Sequence, residues 1–250
     1  MVSLVPSLTE LFFDLDLGHA LVGRTSFCVE PADRVGAVKV VGGTKKINLM
    51  HLVELGPSHV LVNVDETPKE LAEEITNLGV EVIVTHPNRP EDNIPLYRLF
   101  GAIFDRWEQA EAMVASLRAE LDKIKQLSSE LPSRKALYLV WKNPWITVSR
   151  DTYIANMLAY AGMQVVGHDD GRRYPEVKIT QDLLAETDII LFSSEPYNFD
   201  EENIDDFRVE FSIGMRPYLC AIDGKMMSWY GSRAIGALRQ LGEFAAALPR

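Results

Sequence analysis

The stretch that decides the fold is Ile94–Leu131, IPLYRLFGAIFDRWEQAEAMVASLRAELDKIKQLSSEL. Its apolar residues recur in steps of three and four, a spacing that lines them up along one side of a helix. An unbroken helix over this stretch would be roughly 55 Å long. We expect it to divide at Gly101, because glycine weakens a helix interior by about 1 kcal/mol relative to alanine. The prediction is a packing helix over Ile94–Ile103, with Asn93 as its N-cap, and a spine helix over Phe104–Leu131.

Two interpretations of the spine helix are open at this point. A solvent-facing coiled-coil arm needs only two apolar positions per heptad. The stripe has more than two, which favours packing against α/β material on both sides.

Short β-rich runs alternate with helix-like runs before and after the spine. Val2–Val5 is a predicted strand, and Ser7 with Glu10 resembles a capping box at the start of the next helix. Such alternation is typical of parallel strands joined by helical crossovers. We predict an α/β fold of two Rossmann-like parallel-sheet lobes joined by one long backbone α-helix. The predicted N-terminal lobe is 1–93, the linking helical segment is 94–131 and the C-terminal lobe is 132–250.

One internal repeat supports two lobes of the same architecture. Ile47–Glu66 (INLMHLVELGPSHVLVNVDE) aligns with Ile179–Pro196 (ITQDLLAETDIILFSSEP). In each copy a capping residue opens a short helix, which is followed by a turn, a buried strand and a polar loop. Ligands of open parallel sheets bind beyond the carboxyl ends of the strands, so we expect a binding cleft between two such lobes.

The composition restricts the class of protein. A chain of 250 residues with 47% hydrophobic residues can bury one large core or two smaller ones. The net charge of −11 argues against nucleic acid as a partner, because phosphates require clustered Lys and Arg. No apolar run reaches the roughly 18 residues of a membrane span. Met1 runs directly into the strand-like VSLVP without a signal peptide, so the chain is either cytoplasmic or has lost its leader.

Residues typical of catalysis or metal binding do not cluster in the sequence. The five histidines, His168 among them, are scattered and are predicted surface or loop residues. Cys28 and Cys220 match no zinc spacing and are interpreted as small buried hydrophobes, with a disulfide left open. Gly42–Lys46 lacks phosphate-loop spacing and is a predicted turn, and the acidic cluster Asp200–Asp206 is a predicted solvated loop. We expect no catalytic residues and no metal site.

Polar and aromatic residues gather instead at the predicted ends of strands. Any one of them could be structural, but together they line one predicted edge, a pattern typical of binding by stacking and hydrogen bonding. The predicted ligand-binding residues are Ser7, Phe27, Cys28, Thr44, Lys45, Asn63, Trp141, Arg172, Tyr174, Glu195, Trp229 and Tyr230.

Several segments resemble a known family. VSLVPSLTELFFDLDLGHALVGRTSFCVEP and VGGTKKINLMHLVELGPSHVLV are similar to the N-terminal lobe of the class III periplasmic substrate-binding proteins, the helical-backbone metal receptors. DTYIANMLAYAGMQVV, RRYPEVKITQDLL and DGKMMSWYGSR are similar to their C-terminal lobe, so the resemblance covers nearly the whole chain. It implies two α/β lobes bridged by one long helix, with little lobe movement on binding.

The resemblance also implies a function. Members of this family bind cobalamin, ferric siderophores or haem and deliver them to ABC importers. We therefore expect a metal chelate (corrinoid, ferric siderophore or haem) as the transported ligand and an ABC permease as partner. A monomer in the periplasm, or an extracellular lipoprotein, is the expected form.

The resemblance implies a way of docking as well. In the family's cobalamin receptor an acidic residue early in the repeated helix of each lobe contacts the permease. The corresponding positions here are Met50 and Asp182. Asp182 is therefore a predicted docking residue, and Glu54, one turn beyond Met50, is a possible substitute for the missing acid.

The ligand-contacting positions depart partly from the cobalamin receptor. Phe27 and Tyr174 keep its aromatic character, whereas Thr44 and Asn63 stand where it has tryptophans. An anionic chelate is favoured by the cations Lys45, Arg172 and Arg173.

Two other functions are open alternatives. One is a cytoplasmic carrier or sensor of the same kind of ligand, which the missing leader and Met50 favour. The other is an enzyme that uses the inter-lobe cleft, which is disfavoured because no histidine or paired carboxylate stands convincingly at a strand end.

Overall fold

The structure, a computed structural model, describes residues 1–166 and 171–249. His168, a predicted surface residue, lies outside the described residues. The chain divides into two compact units, each with its own sheet. Unit 1 comprises Met1–Pro87, Glu91–Leu117 and Tyr230–Ala234, and unit 2 comprises Asn88–Pro90, Arg118–Trp229 and Ile235–Arg250.

The sheet of unit 1 is parallel throughout. Its strands are β1 (Val2–Ser3), β2 (Gly23–Thr25), β3 (Lys39–Gly42), β4 (His59–Asn63) and β5 (Glu81–Thr85), in the order β3-β2-β1-β4-β5. Parallel neighbours need crossover connections. The helices α1 (Pro6–Asp14), α2 (Leu49–Leu55) and α3 (Lys69–Asn77) and the short 3-10 helices Gly18–Ala20 and Val35–Ala37 lie in these connections. Val2, Leu52 and Val60 are fully buried in the core that sheet and helices share.

The sheet of unit 2 repeats this plan with one antiparallel addition. Its strands are β6 (Arg134–Trp141), β7 (Ile146–Thr147), β8 (Met163–Val165), β9 (Ile189–Ser193) and β10 (Tyr218–Ile222). β6, β8, β9 and β10 run parallel, whereas β7 pairs antiparallel with β6. The helices of this half of the chain are α6 (Tyr153–Tyr160), α7 (Gln181–Glu186), α8 (Glu201–Glu210), α9 (Gly224–Ser228) and α10 (Arg233–Ala247). The predicted α/β class with parallel sheets is confirmed.

The helical stretch between the sheets divides after Ile103, where the predicted packing helix Ile94–Ile103 ends. α4 covers Asn93–Ile103, after a 3-10 turn at Pro90–Asp92, and α5 covers Trp107–Ser128. The prediction of a break at Gly101 is wrong, because the chain leaves the helix only at Phe104 and turns at Asp105, whose φ is 54°. A Cβ at Gly101 would lie 2.7 Å from Ala110 Cβ, so the glycine permits the start of α5 to pack closely on α4.

The apolar stripe of α5 is buried as the periodicity indicates. Ala110, Val114, Leu117, Leu121 and Ile124 follow each other at helical spacing and all have their side chains covered. A solvent-facing coiled-coil arm is therefore excluded. Residues of α5 up to Leu117 belong to unit 1, and those from Arg118 belong to unit 2.

Two predicted N-caps are wrong. α1 begins at Pro6, two residues before the start that a Ser7 cap implies, because proline is favoured at the first helical position; neither Ser7 nor Glu10 takes part in a cap. Glu10 instead accepts hydrogen bonds of 2.6 and 2.8 Å from Arg233. Asn93 lies inside α4, and its Oδ1 accepts a 2.6 Å bond from the backbone N–H of Gly231.

The acidic segment Asp200–Asp206 belongs to a helix and not to the predicted loop. Asp200 is the N-cap of α8, its Oδ1 accepts a bond of 2.9 Å from Asn203 N, and the Asn203 side chain closes the capping box. Acidic residues in a first helical turn are stabilised by the helix dipole. Phe207 is the buried residue of this helix and anchors it to the core of unit 2.

The internal repeat is confirmed in detail. Asn48 caps α2 by accepting a bond from His51 N at 3.1 Å, and Thr180 caps α7 by accepting one from Leu183 N at 3.2 Å. Each helix buries one residue, Leu52 in α2 and Leu184 in α7.

Candidate functional site

The carboxyl ends of β2 and β3 bring predicted ligand-binding residues of unit 1 together. Phe27, just beyond β2, has 59% of its surface exposed. Gly43 N donates to Lys46 O at 2.9 Å, which confirms the predicted turn after β3. A Cβ at Gly43 would lie 3.4 Å from the Phe27 ring, so the ring lies beside this turn. Thr44 in the turn is half-buried and Lys45 is exposed, which leaves an aromatic face, a hydroxyl and a cation available at one edge.

Asn63 and Tyr230 lie beneath this edge and bond to each other. Asn63 Nδ2 donates to the Tyr230 hydroxyl at 2.9 Å, and Thr85 Oγ1 lies 3.0 Å from the same oxygen. Burial raises the pKa of Tyr230 above its usual value, so the hydroxyl is neutral. Asn63 Oδ1 in turn accepts from Asp65 N at 2.7 Å and shapes the loop that follows β4. The two residues therefore fix the ends of β4 and β5.

Two further predicted residues of unit 1, Ser7 and Cys28, are also buried. Cys28 Sγ lies 3.1 Å from Thr25 Oγ1, and burial raises the pKa of the thiol. Both cysteines are free, and Cys220 is half-buried. The interpretation as a small buried hydrophobe is confirmed for Cys28, whereas Cys220 is only partly buried. Neither Ser7 nor Cys28 offers surface to a ligand, so we assign them to the support of the edge.

Glu195 is the best-held polar side chain at the edge of unit 2. It follows β9, is half-buried, and its Oε1 accepts hydrogen bonds from Trp229 Nε1 at 2.8 Å and Ser228 Oγ at 3.2 Å. Burial raises the pKa of the Glu195 carboxyl. The bonds from Trp229 and Ser228 and the charge of Lys225 oppose that rise in pKa, whereas Asp223 adds to it. Trp229 itself is buried and serves as a donor more than as an exposed stacking surface.

A buried framework holds the backbone of Glu195. The Tyr138 hydroxyl donates to Ser193 Oγ at 3.0 Å, and Ser193 Oγ donates to the carbonyl of Glu195 at 2.6 Å. A Cβ at Gly224 would lie 2.5 Å from Glu195 Cγ, so only glycine permits α9 to approach this closely. Sequence reasoning missed the supports Tyr138, Ser228 and Gly224, because the residues that they contact are distant along the chain.

The other predicted residues of unit 2 are exposed. Arg172 lies on the surface, Tyr174 is 42% exposed, and Trp141 is 39% exposed with its ring edge-on to Tyr197 at 5.6 Å. Arg173, between Arg172 and Tyr174, is held in place by a 2.8 Å bond to Asn88 Oδ1 and a 3.3 Å contact with Asp151. The charge of Arg173 is therefore already balanced by a carboxylate.

Met50 and the predicted docking residue Asp182 occupy equivalent surface positions in the two repeated helices. Met50 and Asp182 are each the second residue after the N-cap of α2 and α7, and both are exposed. Met50 leaves 76% of its surface uncovered. Glu54 is exposed on α2 and accepts a 3.3 Å contact from His51 Nδ1.

The described residues hold neither a cluster of metal ligands nor a membrane-spanning helix. Within residues 1–166 and 171–249 no group of three or more His, Cys, Asp or Glu could hold a metal ion. No helix in the same residues has the length and apolar character that a membrane crossing requires.

Known proteins resemble this chain in sequence and in fold. A family model described as periplasmic binding protein matches residues 1–208. The vitamin B12-binding protein of Photorhabdus laumondii subsp. laumondii is 22% identical over 193 residues, which cover 77% of this chain and 70% of the relative. The periplasmic vitamin B12-binding protein of Vibrio cholerae has a TM-score of 0.83 at 17% identity, with 99% of this chain and 97% of that chain covered. The periplasmic heme-binding protein RhuT from Roseiflexus sp. RS-1, in apo form, has a TM-score of 0.82 at 20% identity, with 98% and 96% covered. At such identities the structural likeness shows the fold.

Proposed function

The chain belongs to the periplasmic binding protein family, and from this premise we propose that it captures a metal chelate and delivers it to an ABC importer. The relatives include proteins named for vitamin B12 and for heme, so a corrinoid or haem is the first ligand class to consider and a ferric siderophore the second. We further propose that the chain acts outside the cytoplasm, as the family name indicates.

One observation carries the proposal. At the carboxyl edge of the sheet of unit 1 the exposed Phe27 lies beside the turn after β3, and at that of unit 2 the half-buried Glu195 is held by the buried donor Trp229. A ligand at such an edge meets side chains whose positions are already fixed, which lowers the entropic cost of binding. The contacts available are stacking and hydrogen bonding, which suit capture and release without bond chemistry.

The absorption spectrum of the protein purified from its native host tests the ligand class. A Soret band would indicate haem, a corrinoid band cobalamin, and a ferric charge-transfer band a siderophore. We expect one of these bands, with an intensity that corresponds to about one bound chelate per protein chain. A preparation that carries none of them, and acquires none when each chelate is added, would contradict the proposal.

We propose that Asp182 contacts the permease, with Glu54 as a weaker partner on α2. Asp182 stands at the exposed position of α7 that Met50 occupies in α2, and Glu54 is exposed one turn further along α2. Asp182→Asn should reduce the ATPase stimulation of the cognate importer in proteoliposomes without changing chelate affinity. Glu243→Asn on α10 is the control, because it removes an exposed acid elsewhere in unit 2.

Met50 favours one second candidate function. Met50 is exposed at the position of α2 where a docking acid is expected, and its thioether carries no charge. One of the two expected charged contacts with a permease is therefore missing. The chain could instead carry or sense a chelate without a permease. If the wild-type protein does not stimulate the importer's ATPase at all, although it binds a chelate, the carrier function replaces the importer function.

A further inference from the structure

Glu195 differs from the other edge residues because only one of its two carboxylate oxygens accepts hydrogen bonds from the described residues. Both bonds from the protein, from Trp229 Nε1 at 2.8 Å and Ser228 Oγ at 3.2 Å, end on Oε1. Among the residues that the structure describes, no hydrogen-bond donor reaches Oε2. The side chain is half-buried, so Oε2 belongs to a carboxylate that is both oriented and incompletely satisfied.

The surroundings fix this orientation from three sides. Ser193 Oγ holds the Glu195 backbone through its N–H at 3.3 Å and its carbonyl at 2.6 Å. Gly224 allows α9 to press against the Glu195 side chain, where any Cβ would collide with Cγ at 2.5 Å. Lys225, whose Nζ lies 5.2 Å above the Trp229 ring, secures the indole that donates to Oε1. The acceptor is therefore rigid before a ligand arrives.

We propose that Glu195 selects the chelate: its Oε2 accepts hydrogen bonds from carboxamide or hydroxyl groups at the ligand's periphery and repels carboxylates. The inference rests on the proposed function and adds its ligand class, namely chelates rich in hydrogen-bond donors.

The proposal has a pH signature. Burial raises the pKa of Glu195, with Lys225 and the Trp229 and Ser228 bonds acting against the rise and Asp223 acting with it. As pH falls toward that raised pKa the carboxylate is neutralised and becomes a poorer acceptor. Affinity for a donor-rich chelate should therefore weaken between pH 7.5 and pH 5, and affinity for a carboxylate-bearing chelate should not.

Glu195→Gln is the decisive variant. Gln keeps the shape of Glu, and its Oε1 can still accept from Trp229 and Ser228, so its amide N–H₂ would stand where Oε2 stands now. Cyanocobalamin, which is rich in carboxamides, and haemin, which carries two carboxylates, are the probes. Both are titrated against the wild-type chain, Glu195→Gln and the charge control Glu243→Gln by fluorescence quenching at pH 7.5.

We expect Glu195→Gln to weaken cyanocobalamin binding about fivefold or more and to leave haemin binding equal or stronger, because a charged acceptor is replaced by a neutral donor. Its cyanocobalamin affinity should also lose the pH dependence, while Glu243→Gln behaves as wild type. Equal loss for both probes would mean a structural role, and unchanged affinities would mean no contact; either result overturns the inference alone. A wild-type chain that binds neither probe nor any other chelate overturns the proposed function, and the inference with it.

Discussion

The hydroxyl of Tyr230 accepts a 2.9 Å hydrogen bond from Asn63, a residue 167 positions away in the chain. Thr85 shares the same oxygen at 3.0 Å, so one buried hydroxyl joins the last residues of β4 and β5. Gly231 continues this attachment, since its carbonyl accepts from the Tyr97 hydroxyl at 2.8 Å. A short C-terminal segment, Tyr230–Ala234, is in this way an integral part of unit 1.

Tyr230→Phe should destabilise the protein by about 1–3 kcal/mol, because the buried amide of Asn63 and hydroxyl of Thr85 lose a partner that water cannot replace. Urea unfolding followed by circular dichroism measures the change. Tyr218→Phe is the matched control, since its hydroxyl accepts a long bond of 3.4 Å from Arg216 near the surface. A loss for Tyr230→Phe no larger than for Tyr218→Phe would contradict this role.

Two helical glycines should respond to alanine with opposite signs. At Gly101 the new Cβ would lie 2.7 Å from Ala110 Cβ and 3.2 Å from Arg106 O, so Gly101→Ala should cost about 1–3 kcal/mol of stability through overpacking. At Gly236, exposed on α10, a Cβ would meet nothing within 4 Å. Gly236→Ala should therefore stabilise by about 0.5–1 kcal/mol. Thermal unfolding of both variants checks this, and a stabilised Gly101→Ala would refute the close packing of α4 on α5.

Glu10 and Arg233 form a two-pronged ion pair inside unit 1, with distances of 2.6 and 2.8 Å. Only 16% and 26% of their side chains are exposed, so removing either partner leaves a poorly solvated charge. A double-mutant cycle with Glu10→Ala and Arg233→Ala should give a coupling of about 1–3 kcal/mol.

The pair Lys69–Glu73 is the internal comparison, because its contact of 3.4 Å is fully on the surface. Its cycle should give about 0.2–0.5 kcal/mol. Equal couplings for the two pairs would show that burial of Glu10 and Arg233 adds nothing.

The thiol of Cys28 should be unreactive in the folded protein. It is fully buried, and burial raises its pKa, which reduces the thiolate that reacts with Ellman's reagent. In a Cys220→Ser background the native protein should label far more slowly than the urea-unfolded one. Rapid native labelling at pH 8 would mean that the edge of β2 opens readily.

Local signals in the sequence predict most of the elements. The caps Asn48 and Thr180 act within three residues, and the buried stripe of α5 repeats at helical spacing, so both are visible without a structure. The position of strand-end residues such as Phe27 and Glu195 follows from the parallel arrangement of the strands.

Other features depend on partners that no local pattern contains. A glycine such as Gly101 is typical of a helix break, yet here it lies within a helix and allows Ala110 to pack closely against it. The sequence predicts Asn63 and Tyr230 as ligand contacts, but it does not reveal that the two side chains are buried and bonded to each other. The acidic residues at the start of α8 are typical of a solvated loop, whereas in the structure Asp200 and Asn203 form the capping box of a helix.

Isothermal titration calorimetry of the full chain against cyanocobalamin, haemin and a ferric siderophore is the most direct test of the central claim. The account predicts that at least one chelate binds with micromolar or tighter affinity, at one site per chain. Binding no tighter than millimolar for every chelate would contradict it.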